Sequence, residues 1–80
     1  MLDRIKEIVA GYMGIRVSDV NEETNFLDIG MDSLTLLKIV IDVENTFGIY
    51  IENDEIVEIR TILDISNIVV KKISWKFFKK

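Results

Sequence analysis

Cysteine, histidine and proline are all missing from this 80-residue chain. Without cysteine there is no disulfide, no thiolate metal site and no thiol nucleophile, which suits a reducing compartment such as the cytoplasm. Without histidine, no imidazole can activate a serine or ligate a metal. Without proline, no residue interrupts a helix by removing a backbone donor. Long apolar runs are lacking as well. None approaches the ~20 residues that span a bilayer, and Met1-Leu2-Asp3-Arg4 brings charge too early for a secretory leader. A chain this short forms one domain and buries only ~60–65% of its unfolded surface, which leaves no room for a deep enzyme cleft beside a core.

The net charge of −4 conceals a division. All fourteen acids lie between Asp3 and Asp64, against five basic residues, so residues 1–70 carry −9. That body repels nucleic acid and favours basic partners. The other five basic residues are Lys71, Lys72, Lys76, Lys79 and Lys80, interleaved with Trp75, Phe77 and Phe78. We expect a helical domain over residues 1–74 and a basic, aromatic tail over 75–80. The preferred reading of Lys71 to Lys80 extends the last helix, with Trp75 packed on the bundle and lysines favourable at the dipole's negative end. Contact with an anionic membrane surface or a partner enzyme is the alternative.

Leu2, Ile5, Ile8, Val9 and Tyr12 fall on one stripe of an amphipathic helix that ends near Gly14. Residues 15–32 show no sustained period and hold turn chemistry at Ser18-Asp19, Asn21-Glu22-Glu23 and Gly30. A connection this long is functional or contains a short helical turn. Ser33 to Phe47 reads as a second helix, apolar around much of its circumference and therefore central, with Gly48 as its stop. Asp54 to Ile59 reads as a short helix with acids in its first turn. Thr61-Ile62-Leu63-Asp64 is a capping-box variant that opens a last helix, whose buried stripe is Ile65, Ile68, Val69 and Ile73. The expected fold is all-α: a four-helix bundle of three longer helices and one short third helix. Starting at a methionine and lacking a linker, the chain reads as freestanding.

The chemistry concentrates in Gly30-Met31-Asp32-Ser33-Leu34. A serine at a helix start lies where free N–H groups and the positive dipole end gather, a favourable place for a phosphate. Gly30 permits a positive-φ turn into the helix. Asp32 is placed to interact with the helix end or to hold a cation during phosphate transfer. Leu34 is expected to point into the core. Read more plainly, Ser33 is an ordinary helix N-cap. A catalytic serine is disfavoured, since no histidine is present and the segment is not a G-x-S-x-G elbow. No segment has the oxygen-ligand spacing of a calcium loop, and no resident metal is expected.

Phe26-Leu27-Asp28-Ile29-Gly30-Met31-Asp32-Ser33-Leu34 resembles the modification-site segment of acyl carrier proteins. Phe47-Gly48-Ile49, Ile51 to Ile59 and Thr61-Ile62-Leu63-Asp64-Ile65 extend the likeness over roughly residues 2–73. The resemblance implies a covalent 4′-phosphopantetheine, derived from coenzyme A and joined to Ser33, with Gly30, Asp32 and Leu34 shaping the site. Acyl groups would ride on its thiol as thioesters, and the chain itself would be a non-catalytic monomer. It implies a phosphopantetheinyl transferase and acyl-loading, condensing and transferring enzymes as partners, in fatty acid, polyketide or other specialised acyl assembly. Their basic patches would meet Asp32, Asp42, Glu44, Glu52, Asp54, Glu55 and Glu58. Leu37, Val40, Ile41, Ile59 and Ile65 are candidates for lining an acyl cavity, with the short third helix as its movable wall. Lys38 and Thr35 depart from the acidic strip of fatty-acid carriers and point to a dedicated pathway. A peptidyl or aminoacyl carrier, disfavoured by Asp32 before the serine, and an unmodified docking adaptor are the alternatives.

Overall fold

A computed structural model describes the backbone of residues 1–78 and the side chains of residues 1–76. Four helices follow one another: α1 (Leu2–Met13), α2 (Ser33–Phe47), α3 (Asn53–Ile56) and α4 (Ile62–Phe78). Two single 3₁₀ turns, Val17–Asp19 and Phe26–Ile29, occupy the long α1–α2 connection. The described residues contain no strand.

The local chemistry explains the ends. Gly14 and Gly48 close α1 and α2 at φ of 67° and 66°, a left-handed conformation that only glycine adopts without strain. Thr61 and Asp64 cap α4 reciprocally: the Asp64 N–H donates to Thr61 Oγ1 (3.1 Å) and the Thr61 N–H to Asp64 Oδ2 (3.0 Å).

α1 packs on both α2 and α4. Ile5 and Val9 of α1, Ile39 and Val43 of α2, and Ile65 and Val69 of α4 meet with no exposure. Burying each such side chain fully is worth ~1.5–3 kcal/mol, so this interior is the main source of stability. The long connection is tied down by its own buried residues, Val20, Phe26 and Met31. It is also stitched to the start of α4: Phe26 N–H donates to the Arg60 carbonyl (2.8 Å) and Leu63 N–H to the Glu22 carbonyl (3.0 Å).

Three expectations change. The α-helical part of the short helix ends at Ile56, because Glu58 and Ile59 donate to the Glu55 and Ile56 carbonyls three residues back. α2 is not buried all round: Leu34, Leu37 and Ile41 are 61%, 45% and 50% exposed. Its covered face is the one that meets α1 in the shared core, and its apolar composition exceeds what is covered there. Trp75, expected to pack on the bundle, lies at the surface of α4 beside Lys71, Lys72 and Ser74 and is 62% exposed. α4 itself runs without a break from Ile62 through residues 74 and 75 to Phe78.

Gly11 lies inside α1 with ordinary φ, and a Cβ there would meet nothing within 4 Å. Gly11→Ala is therefore expected to stabilise the chain by about 0.5–1 kcal/mol, read as a higher urea midpoint at unchanged m value.

Candidate functional site

Ser33 is the first residue of α2 and is exposed. It is not the cap. Asp32, with extended backbone (φ −96°, ψ 173°), is the N-cap, and its Oδ1 accepts the Thr35 N–H at 2.8 Å. The plain reading of Ser33 as a capping residue is thus replaced: the cap is supplied one residue earlier. Among the described residues the Ser33 hydroxyl has no hydrogen-bond partner, so it is not consumed in holding the helix. The Thr35 backbone N–H, with the Thr35 hydroxyl and the Lys38 charge, holds the Asp32 carboxyl below its ordinary range.

The approach to Ser33 is rigidly built. Asn25 caps the second 3₁₀ turn through Leu27 N–H (2.9 Å), and Gly30 ends it at φ 76°. Met31 N–H then donates to the Phe26 carbonyl (3.0 Å), and both Phe26 and Met31 are buried. The serine therefore sits one residue beyond a cap and two beyond a core anchor. Asn25 and the two anchors were not singled out from the sequence, although an Asn before a short helical turn is a readable cap signal.

Leu34 does not enter the core. At about 100° per residue it lies about 200° around the helix from half-buried Leu36, on the open side. There it borders a groove of about 440 Å³ between α2 and α3, lined by Ser33, Leu34, Leu36, Leu37, Ile56, Val57 and Ile59. A smaller hollow of about 180 Å³ shares Ser33, Leu36 and Ile59 with it and runs toward Phe26 and Met31. Of the expected cavity residues, Leu37 and Ile59 line the groove. Val40 and Ile65 are buried in the core, and Ile41 lies half-exposed outside the lining. Leu36, Ile56 and Val57 line it as well, and so does Leu34, expected at the attachment site and not in a cavity wall. Leu34 and Leu36 follow Ser33 on the helix, a spacing that the sequence displays.

The acids divide by use. Glu44 Oε2 accepts the Ile51 N–H (2.8 Å) and so fixes the turn after α2. Asp42 accepts the Thr46 hydroxyl (3.1 Å), and its hydrogen bond with Tyr12 raises the Tyr12 hydroxyl above its ordinary pKa. Glu52, Asp54 and Glu58 are exposed, with Glu58 3.9 Å from Arg60. Among the described residues no three metal-ligating side chains cluster.

Glu55 is largely covered. Its carboxylate accepts the Glu52 N–H at 2.9 Å and pairs with Lys72 at 2.9 Å and Lys71 at 3.9 Å. The Lys72 hydrogen bond, chiefly, holds the Glu55 carboxyl below its ordinary value of 4.5. A depressed carboxyl stabilises the fold fully above that ordinary value and loses the contribution as pH falls through the folded-state value. Stability is therefore expected to fall as pH drops from about 5, and the fall should be shallower in Glu55→Gln, measured by urea titrations across that range.

A hydroxyl set out at a helix start, without an internal partner and beside an apolar groove, in a chain that has no histidine, is laid out to be modified and not to catalyse. The comparisons name the family. The model for the phosphopantetheine attachment site matches residues 3–69. The acyl carrier protein of Thermotoga maritima is 32% identical over 74 residues, covering 91% of each chain. That of Zymomonas mobilis is 38% identical over 63 residues, 78% of this chain and 81% of its own. A crystal structure of the Thermotoga maritima acyl carrier protein superposes with a TM-score of 0.77 at 35% identity, over 89% of this chain and 84% of that one. An HMG-ACPI domain from the CurA module of Lyngbya majuscula shares the fold (TM-score 0.77, 20% identity, 91% of this chain and 75% of that one). The chain belongs to the acyl carrier protein family, whose members are non-catalytic carriers built around a phosphopantetheine attachment site. They work with phosphopantetheinyl transferases and acyl-handling enzymes. Among the described residues no helix is long and apolar enough to cross a membrane.

The residues here fit that group. An exposed hydroxyl without an internal partner can take a phosphodiester, the first turn of α2 offers N–H groups to its oxygens, and an apolar groove opens beside it.

Proposed function

We propose that this chain carries acyl groups on a 4′-phosphopantetheine arm joined to Ser33 Oγ, and presents them to enzymes of fatty acid, polyketide or other specialised acyl assembly in the cytoplasm. The observation that carries the reading is the division of labour at the start of α2: Asp32 caps, and Ser33 is left free. When bound, the arm supplies the thiol that the chain itself lacks. Ser33 holds the phosphate at the positive end of α2, and Gly30 and Met31 set the direction in which its hydroxyl is presented. Leu34, Leu36, Leu37, Ile56, Val57 and Ile59 shelter the apolar cargo from water.

Docking of partner enzymes falls to the exposed acids Glu52, Asp54 and Glu58, whereas half-buried Asp42 already accepts from Thr46 and Tyr12 and contributes less. Asp32, Glu44 and Glu55 are occupied inside the domain and contribute field more than contact. Between Ser33 and Ile41 the only charge is Lys38, which supports a set of partners different from those that read a uniformly acidic helix. The chain acts as a monomer.

Intact mass after incubation with coenzyme A, Mg²⁺ and a broad-specificity phosphopantetheinyl transferase tests this. We expect a gain of one phosphopantetheine group per chain. A folded chain that gains nothing with several transferases would overturn the proposal in favour of an unmodified docking adaptor.

A further inference from the structure

α3 is too short to hold itself in place. It has four residues, none of them fully buried, and a single helical turn is not self-sustaining in water. Yet Ile56, at its end, and Val57 form the wall of the groove that faces α2. Its position must come from elsewhere. The flanking residues Ile51 and Ile59 are buried, and Glu44 holds the Ile51 N–H. The far half of α4 adds contacts to this region, one at the end of α2 and two on α3 itself. Lys76 Nζ donates to the Gly48 carbonyl, where α2 ends. Lys72 Nζ lies 2.9 Å from Glu55 Oε1, with Lys71 3.9 Å from Oε2.

The pair differs from the other ion pairs in its surroundings. Arg4–Glu7, Arg16–Asp19 and Arg60–Glu58 are exposed on both sides and contribute little. Glu55 and Lys72 are only 17% and 24% exposed, so their charges are less screened and their geometry is held by neighbours. Glu55 also accepts the Glu52 N–H that opens α3, so one carboxylate both starts the helix and anchors it to α4. Lys72 and Lys76 are thereby used inside the domain, which leaves fewer of the tail's lysines to face a membrane.

We propose that Lys72 is a positioning residue for the groove: its ion pair with Glu55 holds α3 as the outer wall and sets how well a tethered acyl chain is sheltered. The sheltering role rests on the reading of Ser33 as the attachment site; the clamp itself does not.

Amide hydrogen exchange on the unmodified chain tests the clamp first. Lys72→Met keeps the aliphatic stem and removes the charge; Lys72→Arg keeps the charge. Lys72→Met should speed exchange of the Val57, Glu58 and Ile59 amides about tenfold, the scale of one charge-assisted hydrogen bond, with α1 amides unmoved. Lys72→Arg should stay close to wild type. Unchanged exchange over Val57–Ile59 in Lys72→Met overturns the clamp, as does equal acceleration throughout the chain.

Sheltering is read on chains loaded with octanoyl or acetyl groups, with loading confirmed by intact mass. Hydroxylamine should cleave the octanoyl thioester several-fold faster in Lys72→Met than in wild type. The acetyl thioester, too short to fill the groove, should cleave at equal rates in both. Equal octanoyl rates, or a parallel rise in both, overturn the sheltering role. A wild-type chain that accepts no arm overturns the attachment reading instead, and the exchange result still decides the clamp.

Discussion

Ser33→Ala is expected to abolish phosphopantetheine uptake completely while leaving the fold and its unfolding midpoint nearly unchanged. Both halves follow from the position. Ser33 is the first residue of α2, where alanine is readily accommodated, and its hydroxyl has no partner among the described residues. Removing it deletes the proposed acceptor of the arm and little else. Asp32→Ala supplies the contrast. It takes the partner from the Thr35 N–H, so the unfolding midpoint should fall while Ser33 remains present to be modified. Intact mass and urea unfolding, measured on both variants, separate the roles of cap and acceptor. A full mass gain in Ser33→Ala would move the attachment to another hydroxyl, with exposed Ser18 and Ser74 the first to examine.

Much of this arrangement is legible in the residues alone. The stripe of Leu2, Ile5, Ile8 and Val9, the stops at Gly14 and Gly48, and the Thr61–Asp64 cap are local signals, decided within one or two turns of chain. Gly30 is legible for the same reason, since a sharp turn into a helix requires its positive φ. The orientation of α2 is not. Leu34, Leu36, Leu37, Ile39, Val40, Ile41 and Val43 surround the helix with apolar side chains, so periodicity cannot choose the buried face. Packing against α1, with which α2 shares the core, chooses it and turns Leu34 to the open side, where it borders the groove.

The acids were legible as types and not as roles. Glu44 and Glu55 read as surface charges because sequence does not display the Ile51 N–H or the Lys72 ammonium that they meet in three dimensions. The first contact closes the turn after α2 and the second joins α3 to α4, and helical periodicity displays neither. A carboxylate spent on such a contact is less available to a partner, so the docking surface we propose is smaller than the count of acids implies.

Two adjacent residues offer the sharpest test of how the loop presents Ser33. Phe26→Ala is expected to cost about 3–5 kcal/mol, whereas Leu27→Ala should stay within about 0.5 kcal/mol of wild type. Phe26 is 4% exposed in the core cluster and Leu27 is 76% exposed, so only the first leaves a cavity. For 80 residues at the usual stability per residue, the total is about 4–12 kcal/mol, so the first loss alone is a large share of it. The backbone around Phe26 adds a functional consequence. Its N–H donates to the Arg60 carbonyl and its carbonyl accepts the Met31 N–H, which ties the loop to the segment that leads into α4. Loss of the ring should therefore slow modification at Ser33 in the fraction that stays folded, and Leu27→Ala should not. Urea midpoints measured beside initial rates of mass gain decide the matter. A Phe26→Ala chain of wild-type stability that is modified slowly would show that the loop opens on its own, outside the cooperative unit of the bundle. One with wild-type stability and wild-type rate would refute the anchoring role of the ring.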